Sequence, residues 1–200
     1  MKLYYSPGAC SLAPHIIANE AGIQLELVKV DIHGTHQTES GADFYAINPK
    51  GYVPTLALDD GAILTEGPAV QLYLADLKPE SGLAPASGFA RYKLLEWLCF
   101  INSEIHRAFE PLFDPKAAEI EKADAATQIL TRFDYVKDQL GANDFLLGDT
   151  FTAADAYLFV MTTWAHHLKI EMPPNFHDFF VRISKRPAVR QAMKEEGLVK

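Results

Sequence analysis

A short segment rich in proline, glycine and serine divides this sequence into two unlike parts. Residues 79–88 contain two Pro, two Gly and two Ser, a composition typical of linkers. All six Arg and both Trp follow this segment, whereas the part before it holds four Lys and nine acidic residues. The sequence therefore predicts two domains, residues 1–78 and residues 89–200, joined by a linker.

The part before the linker alternates between strand and helix patterns. Asp59-Asp60-Gly61 separates two short β-prone segments, which is a strong hairpin signal. The predicted order is β-α-β followed by β-β-α, which makes a small α/β domain. Strands are predicted at residues 2–5, 25–32, 54–58 and 62–65, and helices at residues 11–21 and 68–77.

The part after the linker carries helix patterns almost throughout, so we predict an all-α domain. Thr152 and Asp155 have the spacing of a capping box, and Phe151 is placed to act as a hydrophobic staple. Helices are predicted at residues 90–113, 117–140, 152–168, 176–185 and 188–195.

Composition excludes several classes of protein. A formal net charge of -8 argues against a nucleic-acid-binding protein, which needs concentrated Lys and Arg. The most apolar stretch, residues 153–168, is too short to span a bilayer, and residues 1–18 lack the apolar run of a signal peptide. Two cysteines are typical of a reducing compartment. We expect a cytoplasmic protein that binds neither nucleic acid nor membranes.

Cys10 is the first candidate for chemistry. It follows the turn at residues 6–9 and directly precedes a predicted helix, whose free N–H groups and partial positive charge favour a thiolate. A small buried cysteine is the alternative interpretation. The motif contains no C-x-x-C pair, so an intramolecular dithiol cycle is excluded.

Two further segments of the first domain have features of a ligand site. A cis Val53–Pro54 bond would direct the Val53 backbone toward an extended peptide ligand, although an ordinary turn is the commoner arrangement. Gly67 fits the start of a helix, where N–H groups bind carboxylates, and Glu66 beside it can bind an ammonium group. The pair suits the zwitterionic end of an amino acid; alternatively, Glu66 only complements the helix dipole.

A polar triplet in the second domain is spaced for one face of a helix. Cys99, Ser103 and His106 lie at i, i+4 and i+7. His106 can donate a hydrogen bond to a thiolate or accept a proton near neutral pH, or it is a structural residue. Cys99 is expected in the core or in a cleft wall. No Cys or carboxylate gives His166-His167 a metal-ligand pattern, so we predict no metal site.

Several of these segments resemble the bacterial beta-class glutathione S-transferases. The similar stretches are residues 1–15, 46–54, 64–67, 97–106 and 148–157, and together the resemblance covers essentially the whole chain. It implies the glutathione transferase fold, with a thioredoxin-like N-terminal domain, an all-helical C-terminal domain and a homodimer. It also implies a cis Val53–Pro54 bond and glutathione as co-substrate.

The resemblance also implies roles for particular residues. Cys10 and His106 would be the catalytic pair that flanks the glutathione sulfur. Val53 would bind the cysteinyl part through its backbone, and Glu66 and Gly67 would hold the γ-glutamyl end. The other predicted members of the glutathione site are Ala9, Ser103, His36 and Glu104, the last of which would reach the partner subunit's glutathione.

The sequence departs from the family pattern at three places. The family often has a basic residue in the loop after the second strand, where it pairs with the glycyl carboxylate. Here residues 33–38 contain no Lys, and His36 is the predicted substitute. Gly67 stands where many relatives have Ser, and Cys99 where they commonly have Asn. These departures bear on the affinity for glutathione.

We therefore expect an enzyme that conjugates glutathione to small apolar electrophiles through a stabilised thiolate. Phe109, Phe113 and Trp164 are the predicted wall of the electrophile pocket; the alternative is that they are core residues. Two other functions stay open. Cys10 would support thiol–disulfide exchange or reductive dehalogenation through a mixed disulfide with glutathione, and the same fold would also suit a non-catalytic ligand-binding module.

Overall fold

The computed structural model describes residues 1–200, apart from the side chain of Asn175. The first half of the chain contains a four-stranded sheet in the order β2-β1-β3-β4. β1 pairs with β2 in parallel and with β3 antiparallel, and β3 and β4 form a hairpin, which confirms the predicted α/β domain. The elements are β1 Lys2–Tyr5, α1 Leu12–Glu20, β2 Glu26–Lys29, β3 Thr55–Ala57, β4 Ile63–Thr65 and α2 Gly67–Asp76.

The predicted hairpin forms around its glycine. Gly61 has a φ of +90°, a conformation that glycine adopts without a steric penalty, and its N–H donates to the Leu58 carbonyl at 3.1 Å. β2 is shorter than the predicted strand at residues 25–32. It pairs with β1, which has four residues, so the ladder ends where Val30 N–H donates to Tyr5 O at 2.8 Å.

α1 lies inside the molecule rather than on its surface. Its residues 12–18 are all buried, because the helix contacts α2 of its own domain and also α6 and α8 of the helical half. A helix that is apolar all round needs such a covered position. The turn that leads into α1 therefore lies at the junction of the two halves of the chain.

The second half of the chain is helical, as predicted. α6 is its central helix, and residues 153–162 are all buried. The elements are α3 Gly88–Phe100, α4 Glu110–Phe113, α5 Glu119–Leu140, α6 Ala153–His167, α7 Pro174–Ser184 and α8 Pro187–Glu195.

The capping box of α6 is present. Asp155 Oδ2 accepts hydrogen bonds from the Thr152 backbone N–H at 2.8 Å and from the Thr152 hydroxyl at 2.9 Å. Its Oδ1 accepts from the Leu146 N–H at 2.8 Å. One buried carboxylate thus fixes the start of α6 and the loop before it.

Residues 88–113 are helical throughout, as predicted for residues 90–113, but the stretch is not α-helical from end to end. α3 is followed by a π-helical segment, Ile101–His106, and then by a 3₁₀ turn, Arg107–Phe109, before α4. Pro111 has no N–H to donate to the Arg107 carbonyl, which interrupts the α-helical ladder at this point. Single π turns are frequent at functional sites, and this one contains His106.

The segment between the two halves is closely attached to the helical part. A 3₁₀ turn forms at Pro79–Ser81, and the Leu83 carbonyl accepts from the Ala153 N–H at the start of α6, at 3.0 Å. The domain division at residues 79–88 stays a prediction. Among the described residues, no helix combines the length and apolar character needed to cross a bilayer.

Candidate functional site

A tight turn carries Cys10 from the end of β1 to the start of α1. Ala9 N–H donates to the Ser6 carbonyl at 3.0 Å, and the Ser11 hydroxyl accepts from Ser6 N–H at 3.2 Å. Gly8 has a φ of +71°, which favours glycine at this position. The turn thereby places Cys10 directly before α1, as the sequence predicts.

The Cys10 side chain is a hydrogen-bond donor in this structure. Its Sγ lies 3.3 Å from the Val53 carbonyl oxygen. Burial raises the pKa of the Cys10 thiol to about 12, against a smaller lowering by the Cys10 and Ser11 backbone N–H groups. The expectation that the start of α1 favours a thiolate at Cys10 is therefore wrong, because desolvation of the charged form outweighs the helix terminus.

The segment before β3 presents the backbone of Val53. The Val53–Pro54 bond is cis, as the resemblance implied. Asn48 holds this segment through its Nδ2, which donates to the Tyr52 carbonyl and to the Thr55 hydroxyl, both at 2.9 Å. The Val53 N–H has no acceptor among the described residues, so it is available to a peptide-like ligand.

The start of α2 has open N–H groups beside an acidic side chain. The helix begins at Gly67 without a side-chain cap, and Glu66 precedes it with a φ of 70°. The N–H groups of Gly67 and Ala69 have no acceptor among the described residues. Glu66 Oε1 accepts from Lys50 Nζ at 2.7 Å. The carboxylate that was predicted to bind an ammonium group is thus paired with one from its own chain.

His106 is held by a hydrogen-bonded chain that the sequence did not predict. Its Nδ1 lies 2.6 Å from the Tyr157 hydroxyl oxygen, and that hydroxyl donates to Asn102 Oδ1 at 2.9 Å. Burial, with a smaller effect of the Arg107 charge, lowers the pKa of His106 to about 4. The imidazole is therefore neutral at neutral pH.

The three residues predicted to share a polar face differ in exposure. Cys99 and Ser103 are exposed, whereas His106 is partly buried, and a π-helical segment, Ile101–His106, lies between Cys99 and His106. The shared face stays a prediction. Cys99 is exposed in the single chain, so it is not a core residue, and its place in a cleft wall stays a prediction.

The three predicted pocket aromatics form one cluster with His106. The Trp164 ring lies 5.0 Å from the His106 ring, 5.5 Å from Phe109 and 5.1 Å from Phe113, with edge-to-face geometry in each case. Phe113 is exposed, but Phe109 is fully buried. Phe109 therefore supports this apolar wall from behind, and Phe113 and Trp164 provide its accessible surface.

The remaining predicted site residues lie further out. His36 stacks against Tyr45 with ring centroids 4.8 Å apart, and its Nδ1 is buried with no partner among the described residues. Glu104 forms an ion pair with Arg132 of its own chain at 2.8 Å. Within the described residues, no three His, Cys, Asp or Glu side chains come together as a metal site.

Lys50, Asn102 and Tyr157 were missed as site residues. Lys50 lies three residues before Val53, and the sequence pattern there indicates only the Val53–Pro54 bond. Tyr157 precedes Trp164 by seven residues on a strongly apolar helix, so the two share a face. A tyrosine hydroxyl on a buried helix face needs a hydrogen-bond partner. This requirement indicates from the sequence that Tyr157 contacts another polar side chain.

Sequence comparison assigns both parts of the chain to one family. The family description "Glutathione S-transferase, N-terminal domain" matches residues 8–77, and "Glutathione S-transferase, C-terminal domain" matches residues 96–187. Glutathione S-transferase GstA of Escherichia coli O157:H7 is 44% identical over 201 residues, which cover 99% of this chain and 100% of the relative. Glutathione S-transferase GST-4.5 of Xanthomonas campestris is 37% identical, with the same coverage.

Solved structures show the same similarity. A ternary complex of BphK, a bacterial GST, is 48% identical with a TM-score of 0.96, over 99% of this chain and 100% of that one. The beta-class glutathione S-transferase of Sphingomonas chungbukensis is 46% identical with a TM-score of 0.95, over 100% of both chains. The resemblance seen in the sequence is confirmed: this chain belongs to the glutathione S-transferase family, and its structural neighbours include the bacterial beta class.

Proposed function

We propose that this protein binds glutathione in the cradle of Cys10, Val53, Glu66 and Gly67 and conjugates it to small apolar electrophiles. The observation that carries the proposal is the position of the Cys10 side chain, whose Sγ lies 3.3 Å from the Val53 carbonyl oxygen, together with the uncapped start of α2. A sphingomonad glutathione S-transferase that is 47% identical was solved with glutathione. When bound, glutathione supplies the sulfur that attacks an electrophilic carbon and displaces its leaving group.

The donor and acceptor groups of the cradle fit a tripeptide with a zwitterionic end. The free N–H groups of Gly67 and Ala69 suit the α-carboxylate, and the Glu66 carboxylate suits the α-ammonium in place of Lys50. The Val53 N–H and carbonyl suit the cysteinyl backbone in the manner of an added strand. Each part of the ligand thus meets a group of the complementary kind.

The protonation states favour conjugation over exchange. With a pKa of about 12, Cys10 keeps its proton at neutral pH and can donate a hydrogen bond to the glutathione sulfur. A protonated thiol is a poor nucleophile toward a disulfide or a substituted substrate. Cys10 therefore stabilises the attacking sulfur, while Phe113 and Trp164 offer the apolar surface on which an electrophile binds.

We also propose that the enzyme is a homodimer and works in the cytoplasm. Phe89, Tyr92 and Tyr52 are 78%, 68% and 74% exposed, and aromatic residues are enriched in protein–protein interfaces. The contact of Ser103 with glutathione and the contact of Glu104 with the partner subunit's glutathione stay predictions. The low cysteine content suits a reducing compartment.

Calorimetric titration with reduced glutathione tests the cradle. We expect one saturable site per chain, and Glu66→Gln should weaken binding about tenfold or more by removing the charge that pairs with the ammonium. Glu39→Gln is the matched control, because Glu39 is an exposed acid outside the site. No binding at millimolar glutathione, or equal binding by Glu66→Gln, would contradict the proposed site.

A Cys10→Ala variant separates conjugation from exchange. Conjugation to a chloronitrobenzene should fall by no more than about tenfold, the usual effect of one lost hydrogen bond, while any exchange with a glutathione mixed disulfide should disappear. If both activities fall together by orders of magnitude, Cys10 is the nucleophile, and thiol–disulfide exchange replaces conjugation as the favoured function.

A further inference from the structure

The imidazole of His106 has one engaged edge and one open edge. Nδ1 lies 2.6 Å from the Tyr157 oxygen, and Tyr157 is 1% exposed. Nε2 has no hydrogen-bond partner among the described residues. It is also absent from the set of buried, unpaired polar atoms, so it is accessible to solvent. Trp164 packs against the same ring at 5.0 Å. The ring is thus fixed on the side of α6, and Nε2 is the accessible nitrogen.

The hydrogen-bond chain determines which nitrogen of His106 carries the proton. A tyrosine hydroxyl has a single hydrogen, and Tyr157 donates it to Asn102 Oδ1 at 2.9 Å. The short contact between Tyr157 and His106 then requires Nδ1 to be the donor. A neutral imidazole with its proton on Nδ1 has a lone pair on Nε2.

The two hydrogen-bond partners of Tyr157 both lie in the π-helical segment. Asn102 and His106 are four residues apart within the segment Ile101–His106, and both reach the Tyr157 hydroxyl. Because Asn102 accepts the hydroxyl hydrogen, it polarises the Tyr157 oxygen and makes that oxygen a better acceptor for His106. Without a hydrogen-bond partner at Nδ1, neither ring nitrogen of His106 would be favoured to carry the proton.

We propose that Tyr157 and Asn102 are positioning residues that hold His106 with its proton on Nδ1, so that Nε2 accepts the proton of the glutathione thiol. This rests on the proposed function, since it requires a glutathione sulfur next to His106. A neutral His106 with its proton on Nδ1 has no hydrogen on Nε2, so it acts first as the proton acceptor and becomes a donor to the thiolate only after it has taken the proton.

The proton transfer balances without any further reactant. The S–H bond breaks with its electron pair left on sulfur, and the proton binds Nε2. The thiolate that forms beside Nε2 favours the imidazolium by its charge, which opposes the burial that lowers the pKa of His106 in the free protein. The resulting imidazolium donates from Nε2 to the thiolate and from Nδ1 to Tyr157. When the sulfur–carbon bond forms, the leaving group departs with the electron pair of its own bond, and the proton passes from Nε2 to water.

Nitrogen NMR of protein labelled with ¹⁵N-histidine reads the tautomer directly and needs no glutathione. In the wild type at neutral pH, we expect Nδ1 of His106 to resonate as a protonated nitrogen and Nε2 as an unprotonated one, assigned with His106→Asn. In Asn102→Ala the freed hydroxyl of Tyr157 should donate to Nδ1, which moves the proton to Nε2. Asn102→Asp keeps an acceptor and should restore the wild-type pattern.

Kinetics provide the second readout. Tyr157→Phe and Asn102→Ala should each lower kcat about tenfold with little change in the KM for glutathione, and Asn102→Asp should recover most of the loss. Tyr135→Phe is the control, because Tyr135 contacts Trp97 and Phe100 instead of His106. If Tyr157→Phe does not fold, the comparison of Asn102→Ala with Asn102→Asp still tests the positioning role.

Two results would overturn the positioning role. One is a wild-type His106 with its proton on Nε2; the other is an Asn102→Ala protein that retains both the wild-type tautomer and the wild-type kcat. Failure of the proposed function looks different. In that case calorimetry shows no glutathione binding, whatever tautomer the spectra report.

Discussion

At the scale of single residues, the charge state of Cys10 shows which of two physical effects prevails. A helix N-terminus favours a nearby anion by about 0.3–1 kcal/mol, which corresponds to less than one pKa unit. Burial acts in the opposite direction, and the net result is a rise of the Cys10 pKa from 9.0 to about 12. The thiol consequently serves this site as a hydrogen-bond donor.

Lys50 supplies a prediction about glutathione affinity. Its Nζ donates hydrogen bonds to Glu66 Oε1 at 2.7 Å and to the Thr65 hydroxyl at 3.0 Å. A ligand ammonium that binds Glu66 must therefore displace Lys50. Exposed ion pairs contribute about 0–1 kcal/mol, so Lys50→Met should tighten glutathione binding about two- to fivefold in calorimetry. Lys29→Met, at another exposed lysine of the same domain, should leave the affinity unchanged. Weaker binding by Lys50→Met would mean that Lys50 contacts a carboxylate of the ligand.

At the scale of elements, α6 connects the stability of the helical half to the site. Its first turn is fixed by the Thr152 and Asp155 capping box. Tyr157 lies in the following turn and Trp164 two turns later, and both contact His106. A helix with a well-defined start therefore sets the position of the imidazole.

The buried cap of α6 predicts a large effect on stability. Asp155 is 0% exposed and accepts three hydrogen bonds, so Asp155→Ala leaves the Leu146 and Thr152 N–H groups without acceptors. We expect a loss of about 3 kcal/mol in the free energy of unfolding, measured by urea denaturation. Asp149→Ala, an exposed acid in the same loop, should change it by less than about 0.5 kcal/mol. Equal effects of the two variants would show that the cap contributes little.

At the scale of the whole molecule, the C-terminal helix and α6 both hold the turn that carries Cys10. Gly8 N–H donates to Glu196 at 2.9 Å, and the Gly8 carbonyl accepts from Trp164 Nε1 at 2.7 Å. His15 lies between Glu196 and Glu195, at 3.0 and 2.7 Å. The geometry of the site thus depends on contacts between residues that are far apart in the sequence.

Comparing the two glutamates tests this connection. The Glu196 side chain is fully buried and that of Glu195 is 36% exposed, although both contact His15. Glu196→Ala should reduce stability by about 3 kcal/mol and also weaken glutathione binding, whereas Glu195→Ala should cost about 1 kcal/mol or less. Thermal unfolding at one fixed protein concentration and calorimetry measure the two effects. A Glu196→Ala protein as stable as Glu195→Ala would argue against this link.

The sequence alone determined the features that depend on local chemistry. Asp59-Asp60-Gly61 specified its hairpin because only particular residues fit a tight turn, and Thr152 with Asp155 specified the start of α6 because capping acts over three residues. The position of Cys10 before α1 follows from the turn that precedes it. The resemblance of whole segments indicated the family and the cis Val53–Pro54 bond.

Only the tertiary structure decided the chemical states of the site. Cys10 contacts the Val53 carbonyl, Glu66 is paired with Lys50, and His106 contacts Tyr157. Burial and hydrogen bonding are set by neighbours in space, and local spacing does not reveal them. For this reason the sequence indicated candidate residues, whereas the packing of α6 against the π-helical segment and of Cys10 against Val53 determined their burial and their hydrogen-bond partners.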